Sequence, residues 1–159
     1  HHCRPKASYT ALLFHPSRRT FLVAGTSTSV VHLHDTSRPS APLRSFTLDP
    51  SPLPAPLTAL AFSPISSLLL ACTATGGLSM IDAGGMKVLA SVEVGMEVRK
   101  GGMGLETGGR LLVFAAREGV RVVDLKKREV VKEVRVGQGE RVLSVSFQVS
   151  LPFLCEGSM

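Results

Sequence analysis

The sequence has no tryptophan, only one tyrosine and only three cysteines in 159 residues. One tyrosine and seven phenylalanines are too few aromatic side chains for a surface that stacks nucleic-acid bases. Cys3, Cys72 and Cys155 lie far apart and form no C-x-x-C pair, which argues against a zinc ribbon and a dithiol redox motif. A sparse, odd set of cysteines is typical of reduced thiols, so we expect an intracellular protein of the cytoplasm or the nucleus.

Long hydrophobic runs are also missing. The longest apolar stretches, such as Ser67–Cys72, have the length of a β-strand and are far too short for a membrane-spanning helix. We therefore expect no membrane partner. The apolar fraction of 44% nevertheless suits a buried core and argues against disorder. No segment combines helical periodicity with caps, so the sequence predicts an all-β protein.

Short alternating segments recur along the chain at a nearly constant spacing. Three of them, residues 29–35, 77–82 and 119–124, end on an aspartate. Around each one, four strand-like segments separated by proline- and glycine-containing turns make one unit. The second strand of each unit is continuously apolar, which predicts burial on both faces and hence stacked sheets. Four antiparallel strands in roughly 40–45 residues is the spacing of a propeller blade.

Specific residues also resemble a known family. ALLFHP at residues 11–16 and ALAFSP at residues 59–64 precede the apolar strands, and the aspartates close the third strands. On these motifs the chain resembles WD-repeat β-propellers over about residues 9–149. The resemblance maps the aspartate of the family's Trp-Asp dipeptide onto Asp35, Asp82 and Asp124. The tryptophan position is held by His34, Ile81 and Val123, and the family's Gly-His pair is missing, so the blade hydrogen-bond network of the family cannot form as such.

The resemblance implies a partial β-propeller with three four-stranded antiparallel blades and the first strand of a fourth. The expected segments are an N-terminal extension or tag remnant at 1–8, blade one at 9–49, blade two at 57–95, blade three at 98–137, a further first strand at 141–148 and a non-repeat tail at 149–159. Because propellers have four to eight blades, we expect a fragment of a longer propeller, or a homo-oligomer that completes the ring. The codons for Gln148–Ser150 could read as an intron donor, so the tail is interpreted as read-through of an unspliced gene.

A rival resemblance lies in the third unit. Residues 108–137 resemble the YVTN-type propeller repeat of surface proteins and lactonase-like enzymes, whose chemistry lies in the central channel. The first strands at 10–14, 58–62 and 144–147 are mostly apolar and carry no carboxylate. The sequence therefore favours a protein that is not an enzyme, with no catalytic residue, no metal and no cofactor.

Several residues could carry chemistry, and each has a structural explanation. We expect the three aspartates to accept backbone N–H bonds in the turn that follows each third strand. His32 and His34 share a strand face, but a metal site needs a third ligand, so we expect packing or bonding within the blade. Gly101–Gly104 lacks the spacing of a phosphate-binding loop and is interpreted as a distorted first strand of blade three.

Basic side chains mark a candidate partner-binding face. On a propeller, the loops between blades and those between second and third strands lie at one face. We predict that this face gathers loops at 26–29, 50–56, 75–77, 95–100, 117–119 and 137–141, and that it carries Arg99, Lys100, Arg117 and Arg141. Rigid scaffolds display function on loops, so we expect a protein partner here. Weaker alternatives are nucleic acid or a phosphopeptide, which Lys126–Arg128 could also bind, and polyproline recognition at Pro50–Pro56.

The sequence thus predicts a non-catalytic WD-repeat scaffold for protein–protein interactions in a larger eukaryotic complex. Two alternatives stay open. One is the YVTN- or lactonase-like propeller enzyme. The other is the propeller part of a splicing-associated ubiquitin ligase, because residues 24–35 resemble part of the propeller of the U-box ligase of that kind.

Overall fold

The structure, a computed structural model, describes residues 8–18, 20–38, 40–48, 55–64, 67–95, 97–116 and 119–137, together with the single positions 142, 145 and 147. For residues 99–101 and 116 the structure describes the backbone but not the side chains. Every regular element in these ranges is a β-strand. Most of the strand predicted at 141–148, the whole tail at 149–159 and nearly all of the extension at 1–8 lie outside the described residues.

Twelve strands form three separate antiparallel sheets, each made of four consecutive strands. Sheet one consists of β1 (Tyr9–Phe14), β2 (Phe21–Thr26), β3 (Val30–Asp35) and β4 (Arg44–Thr47). Sheet two consists of β5 (Leu57–Phe62), β6 (Leu68–Thr73), β7 (Gly77–Asp82) and β8 (Lys87–Glu93). Sheet three consists of β9 (Val98–Leu105), β10 (Leu111–Ala116), β11 (Gly119–Asp124) and β12 (Glu129–Arg135). The predicted all-β fold with three four-stranded antiparallel sheets is confirmed.

Sheet two is buried on both faces, because its side chains alternate between two cores. Leu69 and Ala71 of β6 belong to a core shared with sheet one, while Leu70 and Cys72 belong to a core shared with sheet three. All four residues are fully buried. Successive side chains of a strand point to opposite faces, so a strand covered on both sides must be apolar throughout. The stacking predicted from the continuous apolar run in β6 is confirmed.

Sheets one and two approach each other closely at Gly25. A Cβ atom at this position would lie 3.0 Å from both Cβ and Cδ1 of Leu57, the fully buried first residue of β5. That distance is shorter than a normal carbon–carbon contact, so any larger residue would push the two sheets apart. The glycine is therefore required by packing between the sheets rather than by its own backbone angles.

The hairpins β7–β8 and β11–β12 have the same irregularity. Strand pairing shifts by one residue between Met80 and Ile81 in the first and between Val122 and Val123 in the second. Each connecting turn ends on a residue with positive φ, Met86 at 52° and Arg128 at 60°. The two turns are therefore built alike, although their sequences share only the leading aspartate.

Strand β9 differs from the prediction at its start. The loop expected at 95–100 ends at Glu97, because β9 begins at Val98, which is buried and opposite Ala116 of β10. The backbone of Arg99 and Lys100 thus lies in a strand and not in a loop. Gly101–Gly104 lie in the same strand, and the pairing of β9 with β10 shifts register between Phe114 and Ala116. The prediction of a distorted first strand there is confirmed.

Candidate partner-binding surfaces

The three repeat aspartates each follow a third strand and accept hydrogen bonds from the turn after it. Asp82 accepts from the backbone N–H groups of Gly84 and Gly85 at 3.2 and 2.8 Å. Asp35 accepts from the backbone N–H and the hydroxyl of Ser37 at 2.9 and 2.7 Å. These bonds favour the charged carboxylate and lower the pKa of both side chains, through Gly85 and Gly84 at Asp82 and through Ser37 at Asp35.

Asp124 has the most complete set of partners. Its Oδ2 atom accepts from Nε and Nη2 of Arg110 at 3.0 and 2.8 Å, and its Oδ1 atom accepts from the backbone N–H groups of Lys126 and Lys127. The Asp124 side chain is 3% exposed, while that of Arg110 is 59% exposed. The guanidinium of Arg110, more than the turn N–H groups, holds the pKa of Asp124 below its usual value. Arg110 begins the hairpin that Asp124 ends, so this pair joins two strand ends.

The three positions that correspond to the tryptophan of the family pattern divide into two kinds. Ile81 and Val123 are fully buried and pack in the two cores. His34 is only partly buried, and its Nε2 atom forms a 3.0 Å hydrogen bond with the hydroxyl of Tyr9. Two of these positions are therefore filled by packing alone, and the third by a polar contact on the outer face of sheet one.

His32 lies beside His34 on that outer face, with the two ring centres 5.9 Å apart. Its Nδ1 atom is hydrogen-bonded to the Ser45 hydroxyl at 2.6 Å. Partial burial, and to a lesser degree the neighbouring His34, lower the pKa of His32 and favour its neutral form. Among the described residues no group of three or more metal-ligating side chains comes together. The observed bonds of both histidines are within sheet one.

A threonine hydroxyl closes the hairpin after β2 and again after β6, a repeated feature that was not predicted from the sequence. Buried Thr26 ends β2, and its hydroxyl accepts from the backbone N–H groups of Thr28 and Val30. Thr73 ends β6 in the same way, and its hydroxyl accepts from Gly77 N–H at 3.0 Å. The signal in the sequence is a Thr-x-Thr pair after each of the first two apolar strands. These hydroxyls close the hairpins at the end of each sheet opposite to the aspartates.

The predicted basic face is only partly described. Arg117 and Arg141 lie outside the described residues, and of Arg99 and Lys100 only the backbone is described. Because Val98 pairs with Ala116, the start of β9 lies at the same end of sheet three as the loop between β10 and β11. That end is where the propeller pattern predicted the face. Gathering of the four side chains stays a prediction.

Two other predicted surfaces have defined positions. Lys126–Arg128 form the exposed turn between β11 and β12, at the opposite end of sheet three from the basic face.

Of the proline-rich segment Pro50–Pro56, only Ala55 and Pro56 are described. Their carbonyls accept from the Ser29 hydroxyl at 2.5 Å and from Ala74 N–H at 2.8 Å. This end of the segment is therefore fixed against sheets one and two by hydrogen bonds.

A cavity between sheets one and two was not predicted from the sequence. Its volume is about 520 Å³, and its apolar wall includes Phe21 and Leu33 of sheet one and Phe62 and Leu69 of sheet two. Arg18, in the β1–β2 turn, and Arg44, at the start of β4, also line it. It opens at the end of the sheets where the aspartates lie, away from the predicted basic face. Among the described residues that line it, none carries a carboxylate.

The described ranges contain no helix that is long and apolar enough to cross a membrane. No protein-family model and no curated protein matches this sequence. Solved structures do match, and they share its fold at low sequence identity.

The WD40 domain of coronin from Toxoplasma gondii is 18% identical with a TM-score of 0.73, over 89% of this chain and 37% of that one. Raptor from Chaetomium thermophilum is 13% identical with a TM-score of 0.73, over 91% of this chain and 14% of that one. A chain of the mitotic checkpoint complex is 14% identical with a TM-score of 0.67, over 82% of this chain and 38% of that one. The chain therefore spans well under half the length of the structures it matches. Its three sheets have the fold of WD-repeat β-propeller blades.

Proposed function

We propose that this chain is a non-catalytic scaffold that binds other proteins within a larger eukaryotic complex, in the cytoplasm or the nucleus. The observation that supports this most is the stack of three alike sheets with the WD40-propeller fold. Sheets locked together by two continuous cores form a rigid framework, and rigid frameworks display binding residues on the turns at their ends. One of the matched structures, the mitotic checkpoint complex, is a protein assembly by its name.

The first strands of the sheets also favour binding over catalysis. In a propeller these strands line the central channel, where a lactonase-like enzyme would need polar or metal-ligating groups. Strands β1, β5 and β9 contain no aspartate, glutamate, histidine or cysteine. These strands therefore offer none of the carboxylate, imidazole or thiol groups that most often act as metal ligands or general bases. The enzyme alternative therefore gains no support from these residues.

The proposed partner surface is the basic face with Arg99, Lys100, Arg117 and Arg141. The four cations predicted to gather at this face would attract an acidic protein surface, and such contacts govern the association rate and the choice of partner. Nucleic acid remains the weaker alternative, since aromatic side chains for base stacking are scarce.

The test is a triple charge reversal, Arg99→Glu, Lys100→Glu and Arg117→Glu, in the full chain. Proteins that co-purify with the tagged chain from cells are quantified by mass spectrometry. We expect recovery of at least one specific partner to fall about tenfold or more, since each of the three lost charge pairs contributes on the order of 0.5 kcal/mol. The matched control reverses three other cations, Lys126→Glu, Lys127→Glu and Arg128→Glu, and should keep that partner. Retention of every partner by the first variant would remove the basic face from the proposal.

A further inference from the structure

We infer that the cavity between sheets one and two is a second binding site, which takes a linear peptide with a bulky apolar side chain next to an acidic residue. The inference rests on the proposed function, because it names a partner chemistry for a protein-binding scaffold. It concerns the end of the sheets opposite to the basic face, so the two surfaces can be tested separately.

The walls of the cavity define the apolar part of the ligand. Phe21, Leu33, Phe62 and Leu69 come from both sheets and enclose about 520 Å³. This volume lies within the range of about 300–1,000 Å³ that is typical of ligand pockets in proteins. Leu43 stands at the rim with 49% of its surface exposed. Covering that exposed apolar surface with a ligand side chain is favourable, because it removes apolar area from water.

Two arginines at the rim of the cavity define the charged part of the ligand. Arg18 stands over the ring of Phe21, 5.6 Å from its centre, and Arg44 donates a long bond of 3.4 Å to the Gly84 carbonyl across the two sheets. Within the described ranges neither arginine forms an ion pair. Asp82 precedes Gly84, and its two oxygens already accept from Gly84, Gly85 and Ser67. Two arginines that have no carboxylate partner among the described residues, placed at an apolar pocket, complement an anionic group on the ligand.

His15 supplies a directional contact. Its Nδ1 atom accepts from the backbone N–H groups of Ser17 and Arg18, both at 3.2 Å, so the proton of the neutral ring is on Nε2. The ring lies against Phe62 with centres 4.9 Å apart and lines the cavity. A peptide backbone carbonyl requires hydrogen-bond donors, and His15 Nε2–H and the Ser17 hydroxyl can supply them. The Ser67 hydroxyl also lines the cavity, but it already donates to Asp82. A peptide therefore fits this site better than a purely apolar molecule does.

The experiment is a selection of random twelve-residue peptides displayed on phage, against the immobilised full chain. A parallel selection uses the variant Arg18→Gln, Arg44→Gln. The control variant Lys126→Gln, Lys132→Gln removes the same charge from sheet three. Thermal unfolding checks that both variants remain folded. Enriched sequences are then synthesised with a fluorescent label, and their affinities are measured by anisotropy.

We expect wild-type and control chains to enrich peptides in which aspartate or glutamate adjoins leucine, phenylalanine or a similar residue. Each such peptide should bind the Arg18→Gln, Arg44→Gln variant at least about tenfold more weakly, a loss of about 1.4 kcal/mol, because its acidic group loses its charge-assisted bonds. Replacing the acidic or the apolar residue of the peptide should weaken its binding to the wild-type chain by a similar factor. No enrichment, enriched peptides without an acidic residue, or binding that survives the arginine substitutions would each overturn the inference. These results leave the basic-face test untouched, so failure here is distinguishable from failure of the scaffold function.

Discussion

Asp124 shows how a single side chain secures one end of a sheet. It is nearly buried, and its two oxygens accept four hydrogen bonds, two from Arg110 and two from the turn backbone. Asp82 and Asp35 lie at the same position, the end of the third strand of their sheets, and accept fewer hydrogen bonds. We propose that all three are structural, and that each one fixes the turn that reverses the chain into the fourth strand.

Replacing Asp124 by asparagine should reduce the dependence of stability on acid pH. The pKa of Asp124 is lower in the folded protein than in the unfolded chain, where it lies near 3.9. Its contribution is therefore complete above about pH 4 and is lost as the pH falls through the lower folded pKa. At neutral pH the variant should have a Tm lower by several degrees. As the pH is lowered through the acid range, its unfolding free energy should fall less steeply than that of the wild type.

Urea unfolding at a series of pH values measures this effect. The control is Glu129→Gln, which removes an exposed carboxylate from the same hairpin. If Asp124→Asn and Glu129→Gln followed the same pH dependence, Asp124 would not have the structural role assigned to it.

At the residue scale the sequence revealed part of this arrangement. The spacing of Asp35, Asp82 and Asp124 was visible because an aspartate after an alternating strand is a local pattern. Arg110 as a partner of Asp124 was not visible, because the pairing depends on the register of β10 with β11. Thr26 and Thr73 were missed for a similar reason, since a threonine in a sequence does not reveal which N–H groups its hydroxyl will meet.

The β11–β12 hairpin shows the balance of forces within one element. Its turn runs from Leu125 to Arg128 and ends with Arg128 at φ 60°, a left-handed conformation that costs an ordinary residue about 1 kcal/mol. The bulge between Val122 and Val123 accompanies this turn. The Asp124 bonds to Lys126 and Lys127 offset the strain and keep the turn in place.

Arg128→Gly should therefore stabilise the chain, by up to about 1 kcal/mol, because glycine adopts positive φ without a Cβ clash. Lys126→Gly is the matched control. Lys126 lies in the same turn without a positive φ, so glycine there should destabilise through the entropy of the unfolded chain. Chemical denaturation of both variants measures the difference. Equal losses of stability would show that the turn does not have the conformation described.

At the element scale the sequence predicted strands well and the limits of loops less well. The apolar runs of β2, β6 and β10 each became a strand, because burial on both faces leaves no other place for such segments. The loop predicted at 95–100 extended too far, since Arg99 and Lys100 give no β-strand pattern and yet lie in β9. Strand β9 begins at Val98 because Val98 is buried and pairs with Ala116 of β10. Pairing between strands depends on the folded structure and cannot be read from the local sequence.

At the scale of the molecule, sheet two is held between its neighbours by two separate cores. Cys72 lies in the core between sheets two and three, fully buried, and burial raises the pKa of its thiol to about 12. Arg121 joins the same two sheets, because it donates to the Val94 carbonyl and pairs with Glu133 at 2.8 Å. The stacking was predictable from hydrophobic periodicity. The cavity was not, because its arginines and its walls come from turns and strands that meet only when sheets one and two pack.

Cys72 should therefore report on whether sheets two and three stay together. In a chain with Cys3→Ser and Cys155→Ser, we expect a thiol reagent at pH 8 to label Cys72 at a rate limited by opening of the core, orders of magnitude slower than in urea. Arg121→Gln should accelerate labelling by weakening the contact between these sheets. Rapid labelling of the folded wild-type background would mean that the core between sheets two and three is open.

A crystal structure of the full chain is the most direct test of the central claim that it folds as three stacked propeller blades. We expect three four-stranded antiparallel sheets in chain order, with Leu70 opposite Met80, Gly25 against Leu57, and Asp124 bonded to Arg110. Strands of different repeats joined in one continuous sheet, or sheet two without a neighbour on either face, would contradict the account.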